Sequence, residues 1–368
     1  MRITIDAVPL LVRSAGVKNY LFYWISQLRR LLGEERVSLF PYLGRLPGLD
    51  HEVSIAGPLG TLARQGLLYA LNHVPNHAWD WIGPRTDIFH TAKLVNPPRR
   101  PLLTATLHDM TCWLLPEFHQ PANVAAERRF AERIWKRAAG LIAVSENSRR
   151  DAIRILGLNP DIVHVVYHGV PQAFFDATAS VDLCRKYGLS RPYALNLGTI
   201  EPRKNLDLLL DCWRDLPASL HEQFDLVVAG PEGWQSAKTM ARLRHSPGVR
   251  YLGYLPEPDL PALTAAASVF VYPSLYEGFG FPVAQAMAAG VPVITSNLSS
   301  LPEITGGAAA LVDPHSPAEL RDALCRLLTS PATRAQLAQV GRLQAQRFRW
   351  ETCARQSIEF FEKVLGRT

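Results

Sequence analysis

The sequence predicts an α/β fold made of two doubly wound domains, each a parallel sheet with helices on both faces. Three observations predict it. The chain has 368 residues, too many for one ordinary domain and about right for two. Short β-branched runs alternate with longer helical patterns almost throughout. The 28 prolines and 24 glycines are spread along the chain, as many short loops between short elements require.

Taken in order, the first half offers Ile3–Asp6, Leu102–Leu107, Leu141–Val144 and Ile162–Val166 as short apolar runs that fit buried strands. Helical spacing marks Lys18–Leu32, Asn123–Ala139 and Asn147–Leu156 between them. The Phe22-Tyr23-Trp24 cluster reads as core packing of the first of these helices. In the second half the strands are Tyr193–Leu197, Phe224–Ala229, Val249–Leu252, Val269–Tyr272 and Val291–Thr295. The helices there are Leu206–Leu216, Pro282–Ala289 and Ala318–Leu328, and a last helix runs from Arg349 to Leu365. A His-Gly-Val-Pro turn ahead of a small polar stretch puts the boundary near Val170–Asp176, with residues 1–172 in one domain and 173–348 in the other. In open α/β sheets ligands sit beyond the carboxyl ends of the strands. Two such domains therefore place the expected site in a cleft between them.

Composition removes several classes. Hydrophobic residues make up 48% and charged residues 20%, which is globular rather than disordered or coiled-coil. No apolar run reaches the roughly 18–20 residues of a membrane helix. The N-terminus lacks the charged, apolar and small-residue parts of an export signal, so a cytoplasmic protein is expected. Five cysteines stand far apart with no CxxC pair, as reduced thiols would. A net charge of +6 favours anionic partners such as phosphorylated substrates, an anionic membrane face or nucleic acid. No recognition motif supports the last of these.

The first candidate segment is Asn196-Leu-Gly-Thr-Ile-Glu-Pro-Arg-Lys-Asn205, a strand, a loop and then a helix. Arg203 and Lys204 stand near the helix N-terminus, where free N–H groups already favour an anion. Two adjacent cations there suit a diphosphate; the alternative is a solvated basic turn. The second segment is Tyr272-Pro-Ser-Leu-Tyr-Glu-Gly-Phe-Gly-Phe-Pro282. Gly278 and Gly280 let the main chain approach a ligand, and Glu277 can accept hydrogen bonds from hydroxyls. A plain helix cap is the alternative for Glu277. His108-Asp109 also follows a strand, with a satisfied buried turn as its alternative. No DxD or HExxH occurs, and Pro75 breaks the helix that would align His73 with His77, so no metal site is expected.

These segments resemble the family 4 retaining glycosyltransferases of the GT-B fold, in the mannosyltransferase-like branch of bacterial polysaccharide synthesis. The text that carries the resemblance includes Val144-Ser-Glu-Asn-Ser-Arg-Arg-Asp151, Leu197–Asn205, Val228-Ala-Gly230, Leu252-Gly-Tyr254, Tyr276–Gly280, Gly290–Asn297, Leu301-Pro-Glu303 and Val312-Asp-Pro314. It covers most of the chain and is densest between residues 104 and 314.

The resemblance implies roles. Arg203 and Lys204 would bind the donor diphosphate, and Glu277, Gly278, Phe279 and Gly280 would face the donor sugar. Gly16, in the run Ser14-Ala-Gly16-Val17, would sit against the phosphates. His108 would lie near the reaction centre, and Asp109 would face the acceptor. The helix 349–368 would pack back on the first domain. The co-substrate implied is a nucleotide sugar, GDP-mannose first, with UDP-glucose or an activated rhamnose as alternatives and no further cofactor. The acceptor implied is a saccharide or lipid-linked saccharide.

Two positions depart from the family pattern. Gln285 stands where relatives carry a ribose-binding Glu, and Thr199 stands where many carry a phosphate-binding Arg. Glutamine brings one acceptor oxygen and no charge, which weakens ribose binding by about 1–3 kcal/mol if nothing compensates. Basic residues Arg128, Arg129, Arg133, Lys136 and Arg137 share one expected helix with Trp135, and Thr61–Trp81 is apolar and aromatic. Either could touch an anionic membrane; a solvated face and an ordinary core helix are the alternatives. Rival functions are a nucleotide-sugar epimerase or phosphorylase on the same fold, an NAD-dependent oxidoreductase and a non-catalytic sugar binder. The oxidoreductase needs a completed Gly-x-Gly-x-x-Gly after a strand, which Gly278 and Gly280 do not provide.

Overall fold

The computed structural model describes residues 1–11, 16–42, 46, 54, 56–73 and 85–366. Its internal packing divides the chain into two compact units. One comprises Met1–Leu114, Pro121–Gly169 and Trp350–Thr368; the other comprises Leu115–Gln120 and Val170–Arg349.

The first unit carries strands β1 (Ile3–Asp6), β2 (Val37–Phe40), β3 (Ile88–Thr91), β4 (Leu102–Leu107), β5 (Gly140–Ala143) and β6 (Val163–Val165). They form one parallel sheet in the order β2-β1-β3-β4-β5-β6. Every residue of β1, β3 and β5 is buried, as a sheet covered on both faces demands. The order reverses at β1, because the chain goes from β1 to β2 on one side and continues with β3 on the other. The main helices are α1 (Gly16–Leu32), α2 (Gly57–His73), α3 (Pro121–Arg133) and α4 (Glu146–Leu156). Helix α1 turns Tyr20, Trp24, Ile25 and Leu28 into the core. Ser145 caps α4 by accepting the Ser148 N–H, and Gly157 ends it in the left-handed region.

The second unit carries β7 (Tyr193–Leu197), β8 (Asp225–Ala229), β9 (Val249–Tyr251), β10 (Val269–Tyr272), β11 (Val293–Ser296) and β12 (Ala310–Val312). These also form one parallel sheet, in the order β12-β11-β10-β7-β8-β9. Helices α5 (Leu206–Arg214), α6 (Ala237–His245), α7 (Phe281–Ala288), α8 (Pro317–Thr329) and α9 (Pro331–Ala345) cover it. One core packs Leu209, Trp213, Leu226, Val271, Ile294 and Leu324 together. Strands β7 and β10 are neighbours, yet the chain leaves them in opposite directions across the sheet. The crevice between their carboxyl ends is therefore the switch point of this sheet. Gly230, after β8, has a φ of 140°, and a Cβ there would lie 1.9 Å from the Gly198 carbonyl oxygen. Only glycine lets the ends of β7 and β8 come that close.

The last helix, α10 (Trp350–Leu365), belongs to the first unit and lies along α1. Trp24 donates its indole N–H to Ser357 Oγ at 2.9 Å, and Val364 and Phe360 close on Gly140 of β5.

The structure supplies strands β2, β3 and β12, which the alternating pattern does not reveal. Each has only three or four residues, and β3 carries the polar His90 and Thr91. It also corrects the helix expected over Asn123–Ala139. Helix α3 stops at Arg133, and Trp135–Arg137 form a separate 3-10 turn. Trp135 is buried against Trp113 and Phe130, so the chain bends to bring its ring inward rather than presenting it beside the arginines. Of the apolar stretch Thr61–Trp81, only its first part falls in α2; Trp79 and Trp81 lie outside the described residues, as do Ser14, Ala15, Pro75 and His77.

Candidate functional site in the second unit

The site grows from the ends of β7 and β10. After β7 the chain passes Gly198 and makes a short 3-10 turn, Pro202–Lys204. Asn205 follows with a φ of 56°, and α5 begins at Leu206. The Asn205 side chain donates to the carbonyls of Pro273 at 3.2 Å and Pro314 at 2.8 Å. The first bond fixes the turn against the loop after β10 and the second against the loop after β12, and the Leu275 N–H donates to the Arg203 carbonyl at 2.9 Å. The loops after β7 and β10 are therefore one rigid piece.

On that piece Arg203, Lys204 and Glu277 meet. Arg203 Nη1 lies 2.9 Å from Glu277 Oε2, and Lys204 Nζ lies 2.6 Å from Glu277 Oε1. Both cations are 13% exposed and the Glu277 side chain is 9% exposed. Three further side chains hold the cluster. Tyr272 Oη accepts from Lys204 at 2.6 Å and donates to Glu277 at 3.0 Å. Ser274 Oγ donates to Glu277 at 2.7 Å. Glu201 Oε1 accepts from Arg203 Nη2 at 2.6 Å and stands 3.9 Å from the Lys204 ammonium.

The main chain of Glu277 is clamped as well. Its N–H donates to Ser299 Oγ at 2.9 Å, and its carbonyl accepts from Ser300 Oγ at 2.9 Å. Ser299 holds a φ of 56°, a strained value for serine that aims its hydroxyl at this contact.

The electrostatics follow from burial and neighbours. Burial pushes the Glu277 carboxyl up, but Arg203 and then Lys204 together outweigh it, and its pKa falls to about 2. Lys204 is held below its ordinary value by burial and by Arg203, with Glu277 and Glu201 opposing. The Tyr272 phenol is pushed well up by burial and by Glu277, so it stays a proton donor. Two cations and two carboxylates cancel within one buried cluster. Such a group can grip an anion without a large unpaired charge in between.

Downstream, Gly280 has a φ of 96° at the start of α7, and a Cβ there would strike Leu301 at 2.8 Å. Phe279 turns its ring into the core against Phe281 and Phe348, so only its backbone is available to a ligand. Gln285 sits partly buried on α7, and its amide makes no side-chain hydrogen bond among the described residues. The structure thus brings Arg203, Lys204 and Glu277 into contact and sets Gln285 on the adjoining helix. Glu201, Tyr272, Ser274, Ser299 and Ser300 complete the site and escape sequence reasoning. For Glu201 a signal existed, an acid two residues before a buried arginine; for the serines there was none.

Gly16, His108 and Asp109 belong to the first unit. Gly16 opens α1, and a Cβ added there would meet no atom beyond its neighbours within 4 Å among the described residues. His108 follows β4; its ring meets Tyr20 edge-on at 5.1 Å and the ring of His168 at 5.8 Å. Burial lowers the His108 pKa to about 4, with Asp109 opposing and Lys93 adding to the fall, so it is neutral near pH 7. Asp109 Oδ1 accepts from the Thr111 N–H at 2.9 Å and the Thr111 hydroxyl at 2.5 Å, which starts the short helix Thr111–Leu114.

Comparison with known proteins decides the family. The family description "Glycosyltransferase Family 4" matches residues 14–174, and "Glycosyl transferases group 1" matches residues 186–344. The O-antigen chain mannosyltransferase B of Escherichia coli is 31% identical, over 98% of this chain and 100% of its own. The chain is a GT-B glycosyltransferase. It transfers a sugar from a nucleotide donor to an acceptor. The fold of this glycosyltransferase matches a sucrose-phosphate synthase from Thermosynechococcus elongatus, with a TM-score of 0.76 over 100% of both chains at 20% identity. It also matches Anabaena HepE solved with UDP-glucose, with a TM-score of 0.70 over 99% of this chain and 100% of that one at 19% identity. Among the described residues of the glycosyltransferase, no helix is long and apolar enough to cross a membrane.

Proposed function

We propose that this glycosyltransferase moves mannose from GDP-mannose to a hydroxyl of a saccharide or lipid-linked saccharide in surface polysaccharide assembly. The anomeric configuration is retained and no metal takes part. The observation that carries this reading is the meeting of Arg203, Lys204 and Glu277 at the switch point of the second sheet. The name of the full-length Escherichia coli relative supports mannose as the sugar.

Residues 1–172 form the acceptor side and residues 173–348 the donor side. Arg203 and Lys204 hold the diphosphate and supply the positive charge that a divalent ion would otherwise bring. Glu277 takes hydroxyls of the donor sugar, the backbone of Gly278, Phe279 and Gly280 lines it, and Gln285 takes the ribose. Gly16 adds a close backbone approach to the phosphates. His108, neutral, offers one hydrogen bond near the reacting carbon, and Asp109 Oδ2 receives the acceptor hydroxyl. As the bond from the anomeric carbon to the diphosphate breaks, the acceptor oxygen bonds on the same face of the sugar. Its proton passes to the departing phosphate oxygen. Charge grows on the diphosphate during this step, which is where fixed cations lower the barrier most.

A thermal-shift panel of GDP, UDP, ADP and dTDP sugars tests the donor. At 100 times its Kd a true ligand adds about 2.7 kcal/mol of stability. GDP-mannose is expected to respond, and a response to UDP-glucose or dTDP-rhamnose alone would replace it as the donor. Gln285 gives those alternatives their weight. The protein acts at the cytoplasmic face of the membrane. Leu59, Leu62 and Tyr69 support this: they are 83%, 68% and 70% exposed and share one stripe of α2. Co-sedimentation with anionic liposomes at low salt is the check, and protein left in the supernatant removes the membrane from the account.

A further inference from the structure

The pair that grips the diphosphate in the reading above has two carboxylate partners, and they differ in kind. Glu277 stands on the loop that leads into Gly278 and Gly280, beside the sugar-facing backbone. Glu201 stands at the start of the 3-10 turn that carries both cations. Its own carbonyl accepts the Lys204 N–H at 3.0 Å. It occupies the position of an N-cap, yet its carboxylate does not cap the turn. It reaches Arg203 Nη2 at 2.6 Å instead, and its side chain is 3% exposed.

Formal charge is balanced only with Glu201 included: Arg203 and Lys204 against Glu201 and Glu277. We propose that Glu201 is a positioning residue, the fixed counterion that aims Arg203 and limits how tightly the site holds a nucleoside diphosphate. Glu277 is then the carboxylate that exchanges partners when donor groups arrive. The inference rests on the reading of Arg203 and Lys204 as the diphosphate pair. Without Glu201 the cluster carries one excess positive charge. A doubly or triply charged leaving group would gain affinity in the ground state while the guanidinium lost its aim. Uniform tightening of that sort slows product release and does not speed the chemistry.

The test uses the full chain and three variants, Glu201→Gln, Glu201→Asp and Lys204→Ala, with GDP and UDP as probes in calorimetry. Release of nucleotide from the donor sugar chosen by the thermal-shift panel gives kcat and KM. Glu201→Gln keeps the size and an acceptor oxygen for Arg203, so it is expected to fold. It should bind the diphosphate roughly tenfold tighter and turn over roughly tenfold more slowly, with a burst of first-turnover product. Glu201→Asp should return the affinity towards that of the parent protein. A residue that only supports the fold would lower the melting temperature and leave both constants alone. Unchanged or weakened diphosphate affinity in folded Glu201→Gln overturns the proposal. Lys204→Ala separates the two levels. If it keeps full diphosphate affinity, the underlying site reading fails. If it loses affinity while Glu201→Gln matches the parent, only the role of Glu201 fails.

Discussion

The two sheets reverse their strand order at comparable places, and the groups found there behave in opposite ways. Beyond β1 and β3, Asp6 is completely buried. Its Oδ2 accepts the N–H groups of Ala92, Lys93 and Leu94 at 3.0, 2.7 and 2.8 Å and the Thr91 hydroxyl at 3.3 Å. Its Oδ1 accepts the Val8 N–H at 3.0 Å. A cradle of main-chain donors, of the sort that binds phosphate elsewhere, is satisfied by a carboxylate from the chain itself. Beyond β7 and β10 the donors are long side chains, Arg203 and Lys204, held by a carboxylate on a glycine-flanked loop. The topology supplies a crevice in both sheets. In the first sheet the residue that ends the strand fills the crevice itself; in the second, the proposed ligand grip comes from the loops that follow the strands.

Four experiments put this contrast to the test. Lys204→Ala and Glu277→Ala should each lower kcat/KM by about 10³-fold with little change in the circular dichroism spectrum, as loss of charge stabilisation at the leaving group does. Normal turnover by either variant would dissolve the grip. Asp6→Asn should do the reverse. It turns an NH₂ group toward N–H donors or leaves them an uncharged acceptor, and should cost about 3 kcal/mol in urea unfolding while kcat per folded molecule stays at the parent value.

Acid should also separate the two places. The Glu277 pKa is lowered to about 2 from an ordinary value near 4.5, so its stabilising effect is complete above the ordinary value and is lost as pH falls toward 2. The full swing is about 3 kcal/mol. Glu277→Gln should flatten that leg of a stability-against-pH curve, and an unchanged leg would deny that the carboxylate is held by its two cations. The smallest effect is expected at Gln285→Glu, about a tenfold gain in nucleotide affinity by calorimetry. No gain would mean that the amide already serves the ribose fully.

Much of the site could be read in the amino-acid order. Arg203, Lys204 and Glu277 stand in glycine-bearing loops that follow strands, where α/β chemistry concentrates. Glu201 and Tyr272 lay in the same segments: Glu201 showed only as an acid two residues before Arg203, and Tyr272 carried no distinguishing pattern, because it matters through Lys204, 68 positions away. Asp6 was equally hidden: its partners are some 85 residues on, and as text it is only the last residue of a short strand. The bend at Ile134 was hidden too, since helical spacing continues through Trp135 while tertiary packing pulls that ring inward.

The alternation of strands and helices, the two-sheet α/β class and the three charged residues in loops after strands were all legible in the amino-acid order. Each of these is local: a few neighbouring side chains decide it through period, turn chemistry and composition. Which strands adjoin, and therefore that β7 and β10 deliver their loops to one crevice, was set by the folded chain. The fold also decided which charges are buried together. Coulomb and desolvation terms depend on distances across the fold, and those distances do not exist until the sheet has closed its order.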